Sequence, residues 1–173
     1  MFRLKDIALL TGISDFKSLN YKINYAVRTG KLLNPRKGIY AKPAYNPLEM
    51  ACSIFTPSYI SLEYVLQKAG IVFQYDSAIT VVSYISRMTE VDGKQFRYRK
   101  LKGTMLTNTE GISCLDDTVY IASPERAFLD LLYLDKHACF DNLSPLDRNK
   151  VFMILPQFQS KTLTRRVNHF FNK

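Results

Sequence analysis

The chain has 173 residues, of which 47% are hydrophobic and 23% charged, and this is the composition of a folded globular protein with a core of ordinary size. No apolar run approaches the roughly 20 residues needed to cross a bilayer, and no long apolar run follows the first basic residue, so we expect a cytoplasmic protein with no membrane partner. The net charge of +9 favours an acidic partner instead.

The stretch 5–40 predicts a small winged helix-turn-helix. Its apolar residues 7–10 indicate a short helix that stops at Gly12, because glycine tolerates positive φ. Ser14 is the expected N-cap of a second helix, with Asp15 at the positive end of the helix dipole. The buried face of that second helix is predicted from apolar residues at helical spacing, namely Phe16, Leu19, Ile23 and Val27.

The opposite face of the second helix is polar and suits a DNA groove. Cationic side chains reach phosphates or guanine edges, an asparagine pairs with adenine, and a tyrosine bonds phosphate or stacks. After Gly30, a turn over residues 34–38 between two short apolar stretches predicts a hairpin, which would be the wing. The candidate DNA-binding residues on the helix and the hairpin tip are Lys17, Tyr21, Asn24, Arg28, Arg36 and Lys37.

An ordinary amphipathic helix, with one face in the core and one in solvent, would show the same alternation of apolar and polar residues. The charge distribution is needed to choose between that interpretation and DNA binding. Residues 1–46 contain nine lysines and arginines against two aspartates, a net charge of +7. The other 127 residues contribute only +2. Nearly all of the excess positive charge therefore lies where a DNA-binding domain needs it to neutralise phosphates, and double-stranded DNA is the predicted partner.

Residues 41–47 contain two prolines and show neither helical nor strand periodicity, so we expect a domain boundary there. The expected domains are a DNA-binding domain at 1–46 and a mixed α/β (α+β) domain at 47–173. In the second domain the pattern predicts helices at 48–55, 58–70, 123–134, 144–155 and 161–173. It predicts strands at 79–85, 95–101 and 119–122, with a turn at Asp92 and Gly93 before the second strand. Ser123 and Ser144 are the expected N-caps, each followed by proline.

Five short motifs, in this order, resemble the AbiEi family of bacterial antitoxins and transcriptional regulators from type IV toxin-antitoxin systems. The motifs and the basic N-terminal domain together span about residues 1–135. The motifs are Gly38-Ile39-Tyr40, Tyr59-Ile60-Ser61-Leu62-Glu63, Ile79-Thr80-Val81-Val82-Ser83, Phe96-Arg97-Tyr98-Arg99-Lys100-Leu101 and Ala122-Ser123-Pro124-Glu125-Arg126-Ala127-Phe128-Leu129-Asp130-Leu131-Leu132.

This resemblance implies a two-part protein. From the residues themselves we expect neither an enzyme nor a cofactor. The winged helix would bind inverted repeats in its own promoter and repress it. The second domain would counter a nucleotidyltransferase-like toxin encoded beside it, without a stable complex between the two proteins. A plain winged-helix regulator, whose second domain senses a ligand or dimerises, is the alternative.

A metal-dependent nuclease is a third reading, because Asp76, Glu90, Asp92 and Lys94 match a D…(D/E)xK pattern. The expected turn at Asp92 argues against it, since that chemistry needs the second acid and the lysine on a strand. No phosphate-loop, dinucleotide or zinc-protease motif is present, and Ser61 and Ser83 have no base at recognisable spacing. We therefore expect no catalytic residues.

The remaining candidates have simpler structural readings. His137 with Cys139 is a weak metal pattern, and His169 is the only other histidine. Glu125, Arg126 and Asp130 are read as a helix cap and an ion pair between helix and sheet. The three cysteines, at 52, 114 and 139, are expected to be reduced and mostly buried. A basic cluster in the second domain is either a solvated sheet face or a second nucleic-acid surface: Arg97, Arg99, Lys100 and Lys102.

Overall fold

We describe residues 1–171 of a computed structural model, which is a mixed α/β structure. The helices are α1 (Leu4–Thr11), α2 (Phe16–Arg28), α3 (Pro47–Ile54), α4 (Glu63–Lys68), α5 (Gly103–Leu106), α6 (Pro124–Leu134), α7 (Arg148–Ile154) and α8 (Lys161–Phe171). The strands are β1 (Leu33–Arg36), β2 (Ile39–Ala41), β3 (Ser58–Ile60), β4 (Ile79–Ser83), β5 (Arg87–Val91), β6 (Lys94–Lys100), β7 (Ile112–Leu115) and β8 (Val119–Ala122). The α/β class is confirmed.

A six-stranded sheet in the order β5-β6-β4-β3-β8-β7 forms the centre of the structure, while β1 and β2 form a separate hairpin. The two parallel contacts are β4 with β6 and β3 with β8, and the other neighbours are antiparallel. All five residues of β4 are buried, because this strand lies inside the sheet and both of its faces are covered. The prediction of a buried strand here is confirmed.

Helices cover the two faces of this sheet. On one face the Tyr98 hydroxyl donates to the Ala51 carbonyl oxygen of α3 at 2.7 Å. On the other face α6 is held to β3, since the Tyr59 hydroxyl donates to the Asp130 carboxylate at 2.9 Å. Phe96 and Tyr98 are buried while Arg97 and Arg99 are not, as the period-2 pattern of β6 predicted.

An ion pair inside α6 is fully enclosed by the second domain. Arg126 Nε donates to Asp130 Oδ1 at 3.0 Å, and the two side chains are 1% and 0% exposed. The remaining guanidinium hydrogens bond the Tyr59 hydroxyl and backbone carbonyls, among them Met105 at 2.9 Å. Ser61 donates to the same carboxylate at 2.8 Å. The predicted helix-to-sheet ion pair is therefore within one helix, and hydroxyl groups make the link to the sheet.

The predicted helix over 58–70 is wrong in its first part. Residues 58–60 form β3, in the interior of the sheet, and only Glu63–Lys68 are helical. Every residue from 58 to 62 is buried, so the strand shows no alternation that could separate it from a buried helix. Leu62, with φ of 62° and ψ of −140°, makes the sharp turn between the two elements.

The helix predicted over 144–155 begins later, at Arg148. Its N-cap is Asp147, whose carboxylate accepts from the backbone amides of Asn149 and Lys150, and Ser144 lies in the preceding loop. A 3-10 turn, Leu155–Phe158, follows α7. Ser123 is the N-cap of α6 as predicted. The last predicted helix is confirmed over 161–171, and Asn172 and Lys173 lie outside the described residues.

The turn at Asp92 and Gly93 is confirmed, with φ values of 51° and 72°. It joins β6 to β5, a strand that the sequence did not predict, since β5 is an edge strand with four of its five residues at least partly exposed. Strand β7, which the sequence also did not predict, lies at the opposite edge. Within residues 1–171, no helix has both the length and the apolar character to cross a membrane.

The three cysteines are free, but only Cys52 is buried, whereas Cys114 and Cys139 are exposed, so the expectation of mostly buried thiols is wrong. Cys114 lies on the edge strand β7 and Cys139 in a loop. Burial raises the pKa of Cys52 to about 11.

The burial and raised pKa of Cys52 predict that its thiol reacts more slowly than the two exposed thiols. At pH 8 a thiol with a pKa of about 11 is only about one part in a thousand thiolate, and thiolate is the reactive form. We expect an aromatic disulfide reagent to modify two thiols of the native protein quickly and the third only after urea unfolding. Equal reaction of three thiols in the native protein would contradict the placement of Cys52, and the Cys52→Ser variant identifies the slow group.

Candidate nucleic-acid interface

The N-terminal unit, residues 1–41, consists of α1, a turn, α2 and the hairpin β1–β2. Gly12 ends α1 with φ of 68°, as expected of a glycine C-cap. The N-cap of α2 is Asp15 and not Ser14, because the Asp15 carboxylate accepts from the backbone amides of Lys17 and Ser18, both at 3.1 Å. A carboxylate at this position also interacts favourably with the positive end of the helix dipole.

Helix α2 packs against the rest of the protein mainly through residues in its middle. Leu19 and Ile23 are buried, Val27 is half-buried, and Phe16 is 51% exposed, so the predicted apolar face is correct except at its first residue. Phe16 is the first residue of α2.

The polar face of α2 is solvent-exposed along its whole length, since Lys17, Tyr21, Asn24 and Arg28 are all exposed. At about 100° per residue these four side chains fall within an arc of about 60°, and they span about 16 Å along the helix axis. The Arg28 guanidinium lies 5.6 Å from the centre of the Tyr25 ring, which restrains its orientation. The face has the width and length of a strip that fits the DNA major groove.

The hairpin follows α2 along the chain and is tied to the start of the chain. Phe2 and Tyr40 exchange two backbone hydrogen bonds, each 2.8 Å, which add a third short strand segment to β2. The Asn34 side chain donates to the carbonyl oxygens of Arg36 and Ile39 and closes the turn. Lys37, at the tip, is exposed.

Arg36, the other predicted tip residue, points towards the second domain. Its Nη1 donates to Thr89 Oγ1 of β5 at 2.9 Å, and its guanidinium lies 5.8 Å from the centre of the Phe55 ring. Tyr45 also connects the two parts of the chain, because its hydroxyl donates to Asp92. Burial and this carboxylate raise the pKa of Tyr45 to about 12. Arg36 therefore positions the hairpin, and Lys37 is the cation presented to solvent.

The positive charge of this surface is not neutralised by the protein. Throughout residues 1–171, no carboxylate lies within 4 Å of the charged nitrogens of Lys17, Arg28 or Lys37. Asp15 is engaged with backbone amides, and the other aspartate of the unit, Asp6, accepts from the backbone amide of Arg3. These cations are available to pair with phosphates.

A cleft of about 520 Å³ separates the N-terminal unit from the second domain. Its walls are largely apolar, with hydroxyl groups and the Glu49 carboxylate among them. Arg3 spans one side, where its Nη2 donates to the Ser53 carbonyl oxygen at 3.0 Å. The other polar residues that line it include Asp6, Ser58, Thr107, Thr109, Thr118 and Tyr120.

The second predicted basic surface is partly neutralised. Arg97 Nη1 forms a 2.6 Å ion pair with Asp76, while Arg99 is half-buried and Lys100 and Lys102 are exposed. Arg97 and Arg99 lie on the sheet face opposite α3, which is the side away from the N-terminal unit. Arg97 and Arg99 therefore do not extend the surface of α2.

The residues of the nuclease pattern are engaged separately. Asp76 pairs with Arg97, Asp92 in its turn accepts from Tyr45, and Glu90 and Lys94 are exposed on the β5–β6 hairpin. Over residues 1–171, no group of three or more histidine, cysteine or acidic side chains is placed to hold a metal ion. The Cys139 thiol contacts the His137 carbonyl oxygen at 3.4 Å, and not its imidazole.

Comparison with known proteins gives no identification. No family model matches the chain, and no curated protein or solved structure matches it significantly.

Sequence reasoning missed three features of this interface: the contacts of Arg36, the Phe2–Tyr40 pair and the cleft. Each of them depends on residues far apart in the chain. The pattern of α2, the glycine after α1 and the turn of the hairpin did carry local signals.

Proposed function

We propose that the N-terminal unit is a winged helix-turn-helix and that the protein is a DNA-binding transcriptional repressor of its own promoter. The observation that carries this proposal is the exposed strip Lys17, Tyr21, Asn24 and Arg28 on α2, with no carboxylate paired to its cations in the described chain. Helix α2 enters the major groove, and Lys37 of the hairpin binds an adjacent phosphate.

Each side chain has a distinct part in this proposal. Asn24, near the middle of the strip, makes the bidentate contact to adenine, and Arg28 binds guanine or phosphate. Lys17 lies in the first turn of α2, where its exposed ammonium group binds a phosphate. Inverted repeats in the promoter would be bound by two copies of the chain.

The resemblance to AbiEi antitoxins supports a further role for the second domain. In this proposal it counters a nucleotidyltransferase-like toxin encoded next to the chain, without a stable complex. The test is coexpression with the adjacent gene product: the full chain and a Lys17→Ala/Asn24→Ala/Arg28→Ala variant both restore growth, because neutralisation is independent of DNA binding. Continued toxicity with the folded full chain would rule out the antitoxin role and leave the repressor role intact.

The neighbouring residues Arg36 and Lys37 allow the effect on DNA binding to be measured apart from the effect on the position of the hairpin. We expect Lys37→Ala to weaken promoter binding by several-fold, through loss of one phosphate contact, and to leave stability unchanged within about 0.5 kcal/mol. Arg36→Ala is expected to lower the free energy of unfolding by about 1 kcal/mol through its contacts with Thr89 and Phe55. Urea unfolding and DNA titration of both variants check this, and the reverse assignment of the two effects would contradict it.

The cleft favours a second candidate, a regulator whose DNA affinity responds to a small amphiphilic ligand. A cavity of about 520 Å³ is of the size that holds such ligands, and its walls join the N-terminal unit to the second domain. If this is the function, compounds that raise the melting temperature of the wild type change its promoter affinity and fail to stabilise a Thr109→Trp variant with a filled cleft. Ligands that stabilise the wild type and the Thr109→Trp variant equally would exclude the cleft as the ligand-binding site.

A further inference from the structure

A second recess lies at the far side of the second domain, between the C-terminal end of α6 and helix α8. Its volume is about 310 Å³. The side chains around it are Leu132, Lys136, Arg165, Arg166, His169 and Phe170. Three lysines or arginines and one histidine thus surround a small apolar floor, and among residues 1–171 no carboxylate lines the recess.

The recess is built by the packing of α8. Leu163 and Val167 of α8 are buried, so Arg165 and His169, four residues apart, lie together on the outer face. Arg166 Nη1 donates to the Leu132 carbonyl oxygen at 2.7 Å, one of the carbonyls in the last turn of α6. This bond fixes the guanidinium at the edge of the recess and leaves its other N–H groups available.

The basic side chains of the recess have no acidic partner in the described chain. Within residues 1–171 none of Lys136, Arg165, Arg166 and His169 lies within 4 Å of a carboxylate oxygen. Helix α8 contains no acidic residue at all. Holding several positive charges together is unfavourable unless an anion neutralises them, so the arrangement fits a bound anion.

The recess is separate from the DNA-binding surface proposed above. The N-terminal unit contacts the α3 side of the sheet, through Arg3 to Ser53 and Arg36 to Thr89. Helix α6 is bound to the opposite face, and α8 packs on α6. A duplex held by α2 therefore does not account for the charge of the recess.

We propose that this recess is a phosphate-binding site, in which Lys136, Arg165 and Arg166 bind the oxygens of a phosphate group and His169 completes the site. Fork-shaped guanidinium groups match the geometry of phosphate oxygens, and the lysine adds a mobile charge. The phosphate belongs to a small phosphorylated molecule or to a nucleic-acid strand, and the chemistry at the site is the same for both.

The histidines provide a direct measurement, because the chain has only two, His137 and His169. Inorganic phosphate is titrated into the full-length protein while the two imidazole signals are followed by NMR at constant ionic strength. We expect the His169 signal to move saturably as phosphate is added. The Lys136→Glu/Arg165→Glu variant, which changes two exposed side chains, should weaken the binding by about tenfold or more.

The Lys94→Glu variant is the control, since it reverses an exposed charge on β6 and should bind phosphate like the wild type. An unsaturable His169 shift, or equal affinity in wild type and the double variant, would overturn the proposal. Titration with a nucleoside monophosphate and with a single-stranded octanucleotide then identifies the source. Tighter, strongly salt-dependent binding of the oligonucleotide assigns a nucleic-acid strand, and comparable affinities assign a small phosphorylated molecule.

Discussion

Replacing Asp130 by alanine is expected to lower the free energy of unfolding by about 3–5 kcal/mol, because the substitution leaves the Arg126 guanidinium buried without its counter-charge. Both side chains are essentially inaccessible to solvent. The hydroxyl groups of Tyr59 and Ser61 lose their acceptor at the same time. Urea unfolding followed by circular dichroism measures the change as a lower midpoint.

The Glu90→Ala variant is the matched control. It also removes one carboxylate, but from an exposed position on the edge strand β5, and should alter stability by no more than about 0.5 kcal/mol. Tyr59→Phe, which removes one hydroxyl of the network, is expected to fall between the two at about 1–2 kcal/mol. If Asp130→Ala were as mild as Glu90→Ala, the buried Asp130 carboxylate would neither balance Arg126 nor hold α6 to the sheet through Tyr59 and Ser61.

The largest expected effect on function is that of the Lys17→Ala/Asn24→Ala/Arg28→Ala variant. We expect promoter affinity to fall about a hundredfold or more, since a base contact and two cationic contacts are lost together. The slope of log affinity against log salt should decrease by about 2, one unit for each cation removed. All three side chains are exposed, so the variant should unfold at the same urea concentration as the wild type.

Lys22→Ala is the control for this variant. Lys22 is exposed on the same helix but lies about 140° around the axis from Lys17, outside the strip. Its substitution removes one positive charge from α2 and should reduce affinity only slightly. Equal losses for Lys22→Ala and for single substitutions within the strip would show that binding depends on net charge and not on the proposed face.

Much of this architecture was predictable because its signals are local. The amphipathic pattern of α2, the glycine after α1 and the Ser123-Pro124 start of α6 each depend on neighbouring residues, and the structure has each of them. The alternation of β6 was predictable for the same reason, since one face of the strand is buried and the other partly solvated.

The errors lie where long-range packing decides the outcome. Residues 58–60 are a strand only because β4 and β8 lie on either side of them. Asp15 replaces Ser14 as the cap because a carboxylate can accept two amide hydrogens, and both residues are suitable caps by type. The inward direction of Arg36 and the recess at α8 require partners far away in the sequence.

The central proposal is sequence-specific DNA binding by the N-terminal unit, and a gel-shift titration tests it most directly. The purified protein is titrated against its own upstream DNA at two salt concentrations, with unrelated DNA as competitor. We predict a retarded complex that survives excess competitor and weakens as salt increases. A complex that unrelated DNA displaces equally well, or no complex at either salt concentration, would contradict the proposal.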